Sequence, residues 1–471
     1  MKNPLSGGTV HIIGIGGIGM SAIAEIMAAR GLSVQGSDQK DGANLRRLAA
    51  KGIKVFAGHS ADNLAGAATV VISTAVKDGN PELKAAREAG LPVFNRADTL
   101  AALMRGYRTI CITGSHGKTT TTAMTGWMLE RAGLDPTVLV GGVLPAWGSN
   151  ARIGKSKWMV VEADESDGTF IKLPTEIGVV TNIDPEHLDY YGTEDELHKA
   201  FLKFFRQIPE YGLAVPGIDH PVVRELIGRL DAEGTLPRIA PFGRALNAHA
   251  KIANVSTNGG SVTFDIRLAG AKKRSVKLRM PGAHNALNAA AAATVGQHIG
   301  LSADAIFEGL ASFQGVDRRF TWTGEWNGVS IYDDYAHHPT EIAAALSAAR
   351  GAAKRHVIAV VQPHRFSRLK ALFDGFCNCF RDADTVLIAP VYAAGELPNG
   401  FDRDALIEGI RGTGHGRVFP IENQETLTQS VAALARPGDL VIGLGAGTIT
   451  EWAHALPSLL GEYPTLAGAA E

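Results

Sequence analysis

Short β-branched runs, each closed by glycine and followed by an amphipathic stretch, recur along almost the whole chain. TVHIIGIGGIGMSAIAEIMAARG is the first such unit, and LSVQGSD, IKVFAGHS, ATVVIST and LPVFN follow. Strand, glycine-rich turn and helix in repetition predict parallel sheets with crossover helices. This run ends near Arg105 and a new strand opens at Thr109, which predicts a domain boundary near residue 106. WMVVEADESD and IGVVTNID read as further strands, and EDELHKAFLKFFRQI as a helix. Between about residues 250 and 280 the period drops to two (SVTFDIRL, RSVKLRM), an antiparallel elaboration. PGAHNALNAAAAATVGQHIG is a turn followed by an Ala-rich helix, and FQGVDRRFTW marks a second boundary near 316. VSIYDDY, HVIAVVQP, TVLIAPV, RVFPI and DLVIGLGAG then restore the βα pattern. The Ala- and Gly-rich tail after Tyr463 reads as frayed.

At 471 residues the chain exceeds what one core holds, since cores stop growing at roughly 250–300 residues. Apolar residues at 45% and charged ones at 20% are ordinary globular usage. The net charge of −1 gives no basic field for DNA or RNA, although a local pocket for a phosphorylated small molecule stays open. Cys111, Cys377 and Cys379 form no disulfide framework and read as buried apolar residues in a reducing compartment. MKNPLSGG has no apolar leader segment, and no apolar stretch reaches the ~18 residues of a membrane span. The expected location is the cytoplasm.

ICITGSHGKTTTTAM is a strand, a glycine-rich loop and a helix. The common phosphate loop has a glycine six residues before its lysine; here that position is Ile112, and Gly114, Gly117, Lys118 and Thr119 remain. Glycines let backbone N–H groups converge on phosphate, and the helix N-terminus adds partial positive charge. Lys118 can reach the terminal phosphates, and the Thr119 hydroxyl can ligate Mg²⁺. A plain helix-capping turn explains neither the lysine nor the four threonines after it. WMVVEADESD delivers Glu162, Asp164, Glu165 and Asp167 at a strand end; Glu162 is the preferred metal ligand, and Asp167 reads as a solvated loop acid. TNIDPEHLDYYG places His187 among Asp184, Glu186 and Asp189, where ligation or phosphate contact competes with a structural role.

Gly14, Gly16 and Gly19 follow the first strand with Asp38 ending the second, a dinucleotide-type fingerprint that fits any nucleotide diphosphate. YDDYAHHPTEI and QPHRFSR carry paired Asp, His and Arg at strand ends. Arg365 and Arg368 suit capture of a carboxylate, or form surface ion pairs.

Six ordered blocks (HIIGIGGIGMSAIAEIM, TGSHGKTTTTAM, EADESDGTF, TNIDPEHLDYY, PGAHNALNAAAA and YDDYAHHPTEI, followed by QPHRFSR) together resemble the Mur ligase family over essentially the whole chain. Ser115 stands where that family usually has Thr. The resemblance implies an α/β chain of three domains: a Rossmann-like N-terminal domain (1–106) for a UDP-sugar, a P-loop ATPase-like central domain with a mostly parallel sheet (107–316) for Mg-ATP, and a Rossmann-like C-terminal domain (317–471) that closes over both and holds an amino acid. It implies that Gly16, Gly17 and Gly19 face the UDP diphosphate with Asp38, His59 and Ser73 nearby. Gly114, Ser115, His116, Gly117, Lys118, Thr119 and Thr120 would hold ATP, with Asn285, Asn288, Arg319 and Asp333. Thr119, Glu162 and His187 would bind Mg²⁺. His337, Arg365 and Arg368 would position the amino acid. Lys118, His187 and His337 are the expected catalytic residues. ATP and Mg²⁺ are the expected cofactors, with UDP-N-acetylmuramate and L-alanine as substrates.

The reaction so implied is phosphorylation of a carboxylate by ATP, then attack of the amine on the acyl phosphate. A ligase for a preformed peptide, an NAD-dependent oxidoreductase and a P-loop module without ligation remain as rivals. Some relatives carry a carbamylated lysine after the histidine; Lys199 and Lys203 lie in that region, and the question stays open.

Overall fold

The computed structural model describes residues 7–73 and 75–463. The first residues and the tail after Tyr463, read above as leaderless and frayed, lie outside the described residues. Packing divides the chain into two compact units. The first holds the run ending at Ala253 with Asp265–Arg274 and Leu287–Phe313; the second holds Asn254–Phe264, Ser275–Ala286 and the run from Gln314.

Two sheets of the first unit carry its candidate sites. One has five strands in the order Lys54–Ala57, Val34–Asp38, Thr9–Ile13, Ala67–Ile72, Val93–Asn95, all pairings parallel. Parallel strands covered by helices on both faces read as continuous apolar runs, and Val10, Ile12, Ile13, Val70 and Val71 are buried accordingly. The order reverses between Thr9–Ile13 and Ala67–Ile72. Such a reversal opens a crevice at the strands' C-terminal ends, and Gly14 and Ser73 emerge there.

The other sheet runs Leu213–Pro216, Ile177–Val180, Arg108–Thr113, Trp158–Glu162, Thr137–Leu144, Ser149–Arg152, with only the last pairing antiparallel. The three neighbouring strands ending at Thr113, Glu162 and Val180 therefore release their loops side by side. Phe170, Phe201, Phe204 and Phe205 fill the core on one face, with rings 5.0 and 5.5 Å from Phe170 for Phe201 and Phe204.

A small four-stranded sheet follows (Phe242–Gly243, Ala250–Asn258, Ser261–Leu268, Arg274–Leu278), where the alternating pattern predicted it. Its first pairing is parallel. The second unit has a six-stranded sheet: Thr321–Trp326, Val329–Asp334, Leu440–Leu444, Val357–Val361, Thr385–Ile388, Val418–Pro420, antiparallel only at its first pair. The cysteines are free and buried. Among the described residues no helix is long and apolar enough to cross a membrane.

The helices differ in how their first turns are capped. Asn80, Asn95, Thr193, Ser302, Asp402 and Asn423 each cap a helix by accepting from its first backbone N–H groups. The helices Ile18–Ala29 and Lys118–Arg131 start instead at Gly17 and Gly117, with no side-chain cap. Their first N–H groups are left for something else.

Candidate active site

Gly114 and Gly117 shape the turn after Arg108–Thr113. Their φ values of +124° and +82° favour glycine, and space demands it too. A Cβ on Gly114 would lie 2.2 Å from Thr181 Oγ1, and one on Gly117 2.6 Å from Asn288 Oδ1. The neighbouring loop clamps the turn. The Ser115 amide donates to the Asn182 carbonyl at 3.0 Å, the His116 amide to Asn182 Oδ1 at 2.8 Å, and the Asp184 amide to Ser115 Oγ at 2.8 Å. Asp184 also takes His116 Nε2 at 2.9 Å and His220 Nε2 at 3.2 Å. Those two imidazoles hold its carboxyl well below the usual range.

Lys118 Nζ donates to the Gly114 carbonyl at 2.7 Å, the Ser115 carbonyl at 3.0 Å and Glu165 Oε1 at 2.8 Å. Burial works against its charge, but Glu165 and Asp164 outweigh that and lift its pKa above the ordinary lysine value. Glu165 is buried and pushed up to about 8, with Lys118 pulling the other way. Thr119 Oγ1 donates to Glu162 Oε1 at 2.9 Å, and the Gly141 amide to Glu162 Oε2 at 2.5 Å. Burial raises Glu162 as well.

His187 sits at φ +57°, an uncommon place for a bulky residue and one that clusters at functional sites. Its Nε2 lies 3.6 Å from Glu165 Oε1 and 3.7 Å from Glu186 Oε2. Glu165, Glu186 and His187 each offer a ligand atom within 4.8 Å of the others. Glu165 Oε2 is buried without a hydrogen-bond partner among the described residues. Hard oxygen donors around one imidazole, with a carboxylate oxygen left over, fit a divalent cation such as Mg²⁺. Thr119 and Glu162 thus meet each other, while His187 meets Glu165. The Asp189 side chain lies outside the described residues.

At the first sheet, Gly16 N–H donates to Asp38 Oδ2 at 2.9 Å. A Cβ on Gly14 would lie 3.3 Å from Ser73 Oγ, and one on Gly19 2.9 Å from Arg96 Nη1. Arg96 reaches the acidic loop of the next sheet, with Nη2 3.2 Å from Asp167 and 3.4 Å from Asp164. Asp167 is therefore an ion-pair partner rather than a solvated loop acid. Asn150 ties the same two regions: it receives Arg47 Nη2 at 2.6 Å and donates to the Ile18 carbonyl.

In the second unit, His337 Nδ1 lies 2.9 Å from the Tyr335 carbonyl. A carbonyl only accepts, so Nδ1 carries the proton and Nε2 keeps its lone pair. Burial, helped by Arg368, pushes His337 down to about 4 against the pull of Glu341. His364 packs edge-on to His337 at 5.8 Å and stacks on Tyr392 at 5.5 Å. Its Nδ1 lies 3.2 Å from Arg368 Nη1. Burial and the two arginines hold His364 at about 4. Arg365 is at φ +71° and donates its N–H to the Tyr392 carbonyl at 2.9 Å.

Strand parity separates the two aspartates of YDDY. Asp334 accepts from the Phe320 and Ala336 amides, each at 2.8 Å, and burial raises it to about 6 against the opposing charge of Arg319. Asp333 turns instead to Arg318 (3.8 Å) and His454 (3.6 Å). Arg319 lies over the Tyr335 ring. Asn285 donates to the Pro281 carbonyl at 2.7 Å. Glu165 was one of several acids in its block and His364 was inside QPHRFSR, so both were visible in sequence without being singled out. Asp334 was likewise inside YDDYAHHPTEI, and Arg96 carried no such signal.

Residues 9–108 match the model of the Mur ligase family catalytic domain, 112–296 that of the Mur ligase middle domain, and 318–447 that of the Mur ligase glutamate ligase domain. The chain belongs to the Mur ligase family. This Mur ligase is 54% identical to the UDP-N-acetylmuramate–L-alanine ligase of Methylobacterium radiotolerans, over 98% of this chain and 99% of the relative. It is 52% identical to that of Agrobacterium fabrum over the full length of both. The crystal structure of the UDP-N-acetylmuramate–alanine ligase of Thermotoga maritima superimposes with a TM-score of 0.81 at 28% identity, covering 96% of this Mur ligase and 99% of that chain.

Proposed function

We propose that this Mur ligase uses ATP to join L-alanine to the lactyl carboxylate of UDP-N-acetylmuramate, a step of peptidoglycan synthesis in the cytoplasm. Full-length identity above 50% to relatives of that name supports the substrates. The observation that carries the chemistry is the Lys118 ammonium, held over an uncapped helix start by two loop carbonyls and Glu165.

The lactyl carboxylate and the γ-phosphate are both anions, so their approach needs fixed positive charge. Lys118 and the N–H groups following Gly117 supply it. Glu165, Glu186 and His187, with Glu162 and Thr119, would hold Mg²⁺, which adds charge to the triphosphate when bound. A carboxylate oxygen attacks the γ-phosphorus, the bond to the β-phosphate oxygen breaks, and ADP leaves.

The neutral amine of alanine then attacks the acyl carbon, phosphate departs with its bonding pair, and the amine proton passes to His337 Nε2. Burial keeps His337 weakly basic, and Arg368 adds to this. An alanine carboxylate on Arg365 and Arg368 offsets the arginine's share and raises its basicity. The three-part division with boundaries near 106 and 316 belongs to this proposal, as do the UDP-sugar roles of Gly16, Gly17, Gly19, Asp38, His59 and Ser73.

The test is phosphate release with ATP, Mg²⁺ and UDP-N-acetylmuramate, titrated with single amino acids and with a preformed peptide. L-Alanine should stimulate most. Turnover indifferent to amino acids would overturn the reading.

A further inference from the structure

A carboxylate with no exposure lies beneath the C-terminal edge of the first sheet. Glu82 is the second residue of the helix Pro81–Glu88 and is fully buried. Its Oε1 accepts from Asn63 Nδ2 at 2.6 Å and the Ser60 amide at 3.3 Å. Its Oε2 accepts the Ser37 hydroxyl and lies 3.3 Å from His11 Nε2 and 3.4 Å from His59 Nδ1. Burial alone would raise its pKa, but the bonds from His11, Ser37 and Asn63 outweigh it and bring it to about 2. Glu82 is thus an ion at neutral pH, and an apolar residue of its volume would often serve stability as well.

The proton count gives this ion a direction. Ser37 has one hydroxyl proton and donates it to Glu82. Its oxygen is then an acceptor toward His59 Nδ1, 3.0 Å away, so that nitrogen carries hydrogen. His59 follows the strand Lys54–Ala57, whose terminal Ala57 pairs with Asp38, the residue that holds Gly16 N–H. The ring is partly exposed, and Nε2 is the nitrogen not engaged by this network.

We propose that Glu82 is a positioning residue for the UDP-sugar: through Ser37 it holds His59 by Nδ1–H, so that a second proton on Nε2, taken up beside the anionic diphosphate, is donated to it. This rests on the assignment of the first sheet to the UDP-sugar. The histidine–carboxylate link fixes the ring orientation, as it does for ligating histidines elsewhere, and the nearby Glu82 anion favours a ring that carries both protons.

The experiment uses the full-length enzyme, with KM for each substrate, kcat and melting temperature measured separately. Glu82→Gln and Ser37→Ala should each raise KM for UDP-N-acetylmuramate about tenfold, with kcat and the KM values for ATP and alanine within about twofold. In a His59→Ala background neither should raise KM further. Additive losses there, or equal losses for all three substrates that follow the melting temperature, would overturn the relay. Asp38→Ala separates the two levels. If it raises KM for UDP-N-acetylmuramate while Glu82→Gln and His59→Ala do not, the site stands and the relay falls. If none of the three raises it, the UDP-sugar assignment falls and takes the relay with it.

Discussion

The first unit builds the same turn twice and equips the two copies differently. Both join a parallel strand to a helix through glycines, and both leave the helix start uncapped. At the first copy, Gly16 N–H is held by the carboxylate of Asp38, and the nearest cation is the side chain of Arg96, next to Gly19. At the second, a lysine is folded back onto the loop and acidic groups surround it. On the proposed function the backbone device binds an anion in either case, and the added charges decide whether anything happens to it. On this reading the first copy holds its ligand and the second reacts with it.

Mutations at the two copies should therefore have different kinetic signatures. The largest effect belongs to Lys118→Ala. ADP formation should fall about a thousandfold or more, roughly 4 kcal/mol of transition-state stabilisation. Near-normal ADP release would erase the distinction between the copies. Next comes His337→Asn. Ligation should fall about a hundredfold while ATP cleavage still occurs with UDP-N-acetylmuramate present, read as ADP released without coupled product. Equal loss of both activities would move His337 into the first chemical step.

Gly16→Ala is the matching change at the holding copy. A Cβ there would lie 2.7 Å from Leu45 Cδ1 and 2.9 Å from Asp38 Oδ2. KM for UDP-N-acetylmuramate should rise about tenfold with kcat little changed, and a kcat effect as large as that of Lys118→Ala would contradict the division of labour. Arg96→Ala should change the substrates' KM values by less, because Asn150 still ties the two regions. An unaltered KM for both ATP and UDP-N-acetylmuramate would show that the Arg96 ion pairs do not link the two copies.

The smallest effect concerns pH. His337 and His364 titrate at about 4 in the fold, against about 6.5 when unfolded. Between those values the unfolded chain binds more protons, so stability is present above about pH 6.5 and declines as pH falls toward 4. Calorimetry should show this slope, and it should be shallower in His337→Asn.

The strand–turn–helix units and the phosphate loop were legible because each depends on local spacing. Parity and long-range pairing were not. Asp333 and Asp334 are adjacent in a strand, so one residue of register decides which one meets Arg318 and His454, and only the formed sheet sets it. Glu82 occupies the second position of a helix, where an acid is ordinary; nothing local reveals that two strands and the segment after a third bring donors to it. The pairing of Arg96 with Asp167 spans 71 residues. Glu162 was singled out over Glu165 because it ends the strand, yet in the fold it is Glu165 that contacts both Lys118 and His187.

Lys118 is followed by Thr119, Thr120, Thr121 and Thr122, all buried. Threonine is a poor helix former, costing roughly half a kcal/mol per residue relative to alanine. A peptide cut from this stretch would be largely coil in water. The turn before Lys118 is thus a property of the whole sheet beneath it, and grafting the segment onto another scaffold would carry its letters across without its shape.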